Sequence, residues 1–198
     1  SDTPVFWKLM MPPGDIFVFA TFVRNPDTRR SSDGPIAPHE VFNGIQSSTH
    51  WSIVDQNAYD RDIGLQEIVK NMNDPFGSQG KTSLKNAIRV IFQLQSLRQL
   101  MLSNDKNYTH LVLSRVDLLF VRRISPLLFR RDVVVSDYAH FGGINDRFSA
   151  GPRTPMLALM DRLSTWNRTR AVAERLMLDT CRTHKIVPRK LNVGFNRR

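Results

Sequence analysis

At 198 residues, with 41% apolar and 23% charged side chains, the chain is long enough for one domain with a substantial core and too short to suggest two. Its net charge of +10 favours anionic partners: nucleic acid, an anionic membrane surface or phosphorylated small molecules. A single cysteine, Cys181, excludes an intrachain disulfide and a cysteine-cluster metal site, and no apolar run approaches the ~20 residues of a membrane span.

The chain opens on Ser1 without a signal-peptide pattern, which reads as a processed or partial product. After the turn Pro12-Pro13-Gly14, the apolar run 15–23 predicts a strand buried on both faces, as in a parallel sheet. Residues 24–50, rich in Pro, Asp, Ser and Gly, with Arg24, Arg29 and Arg30 among them, read as a long surface loop. A weaker strand is expected at 51–58, then a short helix at 67–72 ended by Asn73-Asp74-Pro75. Residues 82–103 predict a helix. Leu84, Ala87, Ile88, Ile91, Gln95, Leu97, Leu100 and Met101 approximate one stripe, with Lys85, Arg89 and Arg98 outside it. Thr82 or Ser83 can cap its start.

A polar turn at 104–107 leads into a run, 108–121, that reads as a buried strand except for Arg115 and Asp117 near its middle. Another strand is expected at 131–137. Helices are expected at 154–163 and 170–184, the first announced by Thr154-Pro155 with Pro at the first helical position. Strands alternating with helices predict a single α/β domain over 1–198, with a mainly parallel central sheet flanked by helices.

Gly80-Lys81-Thr82 suggests a phosphate loop, but Pro75 stands where its first glycine belongs and no strand leads in, so a capped helix start accounts for it. The five histidines are scattered without HxxxH or HxH spacing, which gives no dedicated zinc site. No GxSxG elbow supports nucleophilic hydrolysis. The two sequons, at Asn107 and Asn167, are what chance supplies.

Arg115 and Asp117 alternate on their strand and so project from one face. Ligands in open α/β sheets bind beyond the carboxyl ends of strands. There Asp117 can hold a divalent cation and Arg115 a phosphate oxygen; alternatively the two pair with each other and close a sheet edge. The block 141–151 combines Gly142, Gly143 and Gly151 with Asn145, Asp146 and Arg147. Its glycines permit close backbone approach or positive φ, and its polar groups suit hydroxyls and phosphates. Its plainer reading is a connecting loop. Glu174 falls on an amphipathic helix, where by itself it would be a solvated residue.

Taken in order, these pieces resemble a family of small nucleotide-sugar-dependent glycosyltransferases with the GT-A fold. The resemblance is carried by 15–18 (DIFV), by the run from Tyr108 to Phe120 with its R-x-D element, by Gly142 to Gly151 (GGINDRFSAG), by Glu174 and by the arginines of 195–198. It implies that the R-x-D element takes the place of D-x-D, with Asp117 the metal or ribose contact and Arg115 a diphosphate contact. Gly142, Gly143, Asn145, Arg147 and Gly151 would shape the donor-sugar and acceptor pocket, with Asp146 the candidate carboxylate. Glu174 would face the reacting sugar, and Arg197 or Arg198 would close over the diphosphate. Two departures stand out: nothing before Asp15 matches the family's first strand and its Arg-bearing loop, and Val116 replaces a common Pro. The fold implied is thus GT-A without its first strand.

The expected activity is transfer of a sugar from a nucleotide-diphosphate donor to a glycan or other hydroxyl acceptor, with Asp146 and Glu174 both candidates for the catalytic base. A divalent cation, Mn or Mg, is the expected cofactor, with weak dependence because Arg115 stands where D-x-D has an acid. Two other readings remain: a basic nucleic-acid-binding module, though no RNP pattern, zinc finger or helix-turn-helix supports it, and a non-catalytic glycosyltransferase-like domain that binds a glycan or a partner. The compartment, cytoplasm or Golgi lumen, is left open.

Overall fold

The computed structural model describes residues 16–22, 49–72, 80–114, 118–120, 125–138, 140, 142–166, 172–192 and 195–197. The first apolar run forms β1 (Ile16–Phe22), which pairs in parallel with β2 (Thr49–Asp55) along its full length. The strand expected at 51–58 stops at Asp55 because that carboxylate caps a helix. It accepts from the backbone N–H groups of Asn57 and Ala58 at 3.0 Å and starts α1 (Gln56–Asp62). After Gly64, α2 (Leu65–Lys70) replaces the helix expected at 67–72.

The helix α3 (Gly80–Leu102) is the longest element described. Its stripe buries Leu84, Ala87, Ile88, Ile91 and Met101 as its spacing requires, and Leu94 as well; Gln95 is only half-buried. A bidentate bridge from Arg89 to Asp60, at 2.8 and 2.6 Å, pins α1 to α3.

The run 108–121 forms β3 (His110–Ser114) and β4 (Leu118–Phe120), which lie in different sheets. A short 3-10 helix (Pro126–Phe129) precedes β5 (Val134–Ser136), and β6 (Phe148–Pro152) follows. The helix expected at 154–163 is two pieces, α4 (Arg153–Met160) and α5 (Arg162–Thr165), broken at Asp161. Pro155 is therefore the third helical residue, not the first. Next come α6 (Ala173–Thr183), β7 (Arg189–Leu191) and β8 (Phe195–Arg197). Lys185, at φ 54, closes α6: the N–H of Ile186 reaches the carbonyl of Cys181 at 2.8 Å and that of Lys185 reaches Arg182 at 3.2 Å. This double bond pattern satisfies carbonyls that the helix end would leave open.

The central sheet has four strands in the order β3-β6-β5-β7 and is mixed, which corrects the expectation of a mainly parallel one. The reason is β6. Its sequence, FSAGP, reads as loop, yet it inserts between β3 and β5 and runs antiparallel to both, while β5 and β7 are parallel. Gly151 makes this insertion possible. A Cβ there would stand 2.9 Å from the Cα of Val133, so a larger residue would push the strands apart. Among the described residues, β1 pairs with β2 alone and β4 with β8 alone; β1 does not join the sheet of β3 and β5 as expected.

Two apolar clusters hold these layers. Leu94, Leu113, Val135, Met156, Leu159 and Met177 pack with their neighbours around the sheet, α4 and α6. Leu65, Leu84, Ile88, Ile91, Trp166 and Leu176 join α2, α3, α5 and α6. Among the described residues no helix is long and apolar enough to cross a membrane.

Candidate functional site

Because β3 and β5 both oppose β6, and β7 runs with β5, the three strands share one direction. Their carboxyl ends therefore lie at one end of the sheet. The 137–147 loop after β5 lies there and is built around Asn145, which is wholly buried. Its Nδ2 donates to the Tyr138 carbonyl at 2.7 Å, and its Oδ1 accepts from the Arg147 backbone N–H at 2.9 Å. The backbone N–H of Asn145 donates to Nδ1 of His140 at 3.0 Å. Asn145 thus organises the loop from within.

The two glycines do different work. Gly142 turns the chain with φ 77, a conformation that costs residues with a Cβ. Gly143 permits contact: a Cβ there would lie 2.0 Å from the Glu174 carbonyl oxygen. The next residue uses that approach, since the Ile144 N–H donates to the same oxygen at 2.9 Å. The loop is stitched to the first turn of α6, and so Asp146 and Glu174, distant in sequence, share one electrostatic neighbourhood.

Arg162, for which the sequence suggested no role, completes it. The side chain is 1% exposed, and Nη1 lies 3.9 Å from Oδ2 of Asp146, itself 8% exposed. Nε donates to the Leu159 carbonyl at 3.2 Å and Nη2 contacts Sδ of Met177 at 3.2 Å. Burial pushes the guanidinium below its ordinary pKa, with Asp146, the Cys181 thiol and Glu174 opposing the shift. Burial also raises the Glu174 carboxyl above the usual carboxylate range. A backbone hydrogen bond at its own N–H opposes this, Asp146 adds to it, and Arg147 and Arg162 oppose it. Burial pushes Cys181 up to about 11, so it stays a thiol and not a nucleophile. A trace of Arg162 was present in the sequence: it falls three residues after Leu159, on the apolar stripe of Met156 and Leu159.

Of the residues singled out from the sequence, Gly142, Gly143, Asn145, Asp146, Arg147 and Glu174 come together at this end of the sheet. Gly151 is buried in β6 against Val133, farther along the strand. Arg197 belongs to β8. Arg115, Asp117 and Arg198 lie outside the described residues. Among the described residues no group of three or more His, Cys, Asp or Glu is placed to hold a metal ion. Asp146 and Glu174 share their space with two guanidiniums, those of Arg162 and Arg147, so they do not form a cation shell.

No protein-family model, curated protein or solved structure matches the chain. The resemblance to glycosyltransferases therefore rests on the motif residues themselves.

Proposed function

We propose that the chain transfers a glycosyl group from a nucleotide-diphosphate sugar to a hydroxyl acceptor, with Asp146 and Glu174 as its working carboxylates. The observation that carries this reading is the contrast between the two: Asp146 faces the buried Arg162, whereas burial raises the proton affinity of Glu174. Neighbouring carboxyls in opposed environments divide acid–base roles. A base serves best when its pKa approaches the working pH, which assigns Glu174 to the acceptor hydroxyl. The acceptor oxygen bonds to the anomeric carbon, the bond from that carbon to the diphosphate oxygen breaks, and the hydroxyl proton passes to Glu174. Asp146, facing Arg162, is suited to orient sugar hydroxyls and to stabilise positive charge at the anomeric carbon. Arg147, on the same loop, supplies charge toward the departing diphosphate.

The test is a panel of nucleotide sugars screened by thermal shift, then transfer assays on Glu174→Gln and Asp146→Asn. A donor should raise the melting temperature of the native chain, and Glu174→Gln should keep donor binding while losing roughly 100-fold or more in turnover. If no nucleotide sugar binds, the reading fails. Binding with no turnover in the unaltered chain identifies a non-catalytic glycan- or partner-binding domain instead.

A further inference from the structure

The opposite end of the four-stranded sheet carries a second surface. Chain enters β5 through the 3-10 helix and residues 130–133, and enters β7 through residues 185–188. These entries are tied together. The Arg189 N–H donates to the Val133 carbonyl at 2.8 Å, and the Arg189 guanidinium donates to the Leu128 carbonyl. His110, at the start of β3, bonds the Arg130 carbonyl through Nε2 at 2.9 Å. The entries to three strands thus form one face.

Two aliphatic side chains on these entries stand in solvent. Leu127 is 75% and Val187 89% exposed, more than any other large apolar residue described. On the same stretches, 126–133 and 185–189, Arg130, Arg131, Lys185 and Arg189 are exposed and Asp132 is the acid, so four cations against one acid leave a net +3. A solvated Leu or Val adds nothing to the core. Single exposed apolar residues are ordinary, but here a pair stands at strand entries that hydrogen bonds join, among cations.

We propose that this face docks the protein on an anionic lipid bilayer. A bilayer surface satisfies both halves of the chemistry at once: the cations meet anionic headgroups, and the aliphatic tips enter the boundary below them. A nucleic acid would use the cations and leave Leu127 and Val187 in water. The face lies at the end of the strands away from Asp146 and Glu174, so a docked molecule keeps that loop open to solution, and the proposal does not depend on the glycosyl-transfer reading.

The experiment is co-sedimentation of the full chain with phosphatidylcholine vesicles, with and without phosphatidylserine, and an oligonucleotide-binding arm at the same salt. The unaltered chain should bind the vesicles that contain phosphatidylserine. Arg130→Glu with Arg131→Glu should weaken binding at least about tenfold, because each cation near such a surface contributes about fivefold. Leu127→Gln with Val187→Gln, which leaves the charge unchanged, should weaken it too. Far-ultraviolet circular dichroism and melting temperature check that these surface variants fold. Absence of binding to phosphatidylserine vesicles overturns the proposal, as does binding that neither pair diminishes. Oligonucleotide binding that needs the arginines but is indifferent to Leu127 and Val187, without vesicle binding, overturns it in favour of nucleic acid.

Discussion

Nη1 of Arg162 stands 3.9 Å from Oδ2 of Asp146, in a place where the two side chains are 1% and 8% exposed. One belongs to a one-turn helix after a break at Asp161, the other to a loop that Asn145 folds from within. Each buries a charge that the other compensates, so neither is dispensable by itself.

Arg162→Met should destabilise the chain by about 3–5 kcal/mol, since it leaves the Asp146 carboxylate buried without its partner. The double variant with Asp146→Asn should cost less than the sum of the singles, by about 1–3 kcal/mol of coupling. Urea denaturation of the four proteins measures this. Additive costs would show that the two charges do not sense each other.

Glu174 should leave a mark on stability against pH. Its folded-state pKa is raised, chiefly by burial, so the folded chain holds this proton more tightly than the unfolded chain does. Below the ordinary carboxylate value of about 4.3 both states are protonated. As pH rises from there to the raised folded value, the unfolded state ionises first, and stability falls through that window before levelling. Glu174→Gln removes the fall. The difference in melting temperature between the Gln variant and the unaltered chain should therefore grow with pH across the window; a difference that shrinks would contradict the assigned direction.

Gly143→Ala should cost about 3 kcal/mol, because its Cβ would meet backbone atoms of Glu174 and Arg175 at 2.0–2.6 Å. Gly142→Ala meets nothing within 4 Å and has only its φ of 77 to contend with, for about 1–2 kcal/mol. Separating loop from helix should also return Glu174 toward an ordinary carboxyl, readable by carbon-13 NMR titration. Equal costs at the two glycines would show that the stitch to α6 yields easily.

Lys185→Gly should stabilise the chain by about 0.5–1 kcal/mol, since glycine adopts the left-handed conformation at φ 54 without a Cβ penalty. Lys185→Ala, which drops the charge but keeps the Cβ, should show no such gain in thermal denaturation. The glycine variant also removes one cation from the Leu127 and Val187 face, so lower vesicle binding with higher stability would separate docking from folding.

The long helix and several strands were legible from local pattern. Leu84, Ala87, Ile88 and Ile91 recur at helical spacing and are all buried on one side of α3, and the apolar runs at 16–22 and 134–136 are strands. β6 was not legible. Ser149, Gly151 and Pro152 carry loop signals, and only pairing on both edges, with Gly151 fitted against Val133, makes them a central strand.

The candidate site divides in the same way. The glycine-rich block with Asn145, Asp146 and Arg147, and the acid Glu174, could be named from residue types, because hydroxyl and phosphate chemistry needs such groups. Whether they meet depends on contacts between segments far apart in the chain, which no local period records. The missing side chain at Gly143 lets the loop backbone reach the Glu174 carbonyl. Arg162, a cation on an apolar stripe, acquires its role only from the carboxylate brought to 3.9 Å from it. The sequence by itself determined which faces are apolar and which residues carry charge, through side-chain period and composition. The tertiary structure decided which charges lose water together, because desolvation and excluded volume act between segments and are fixed only when those segments pack.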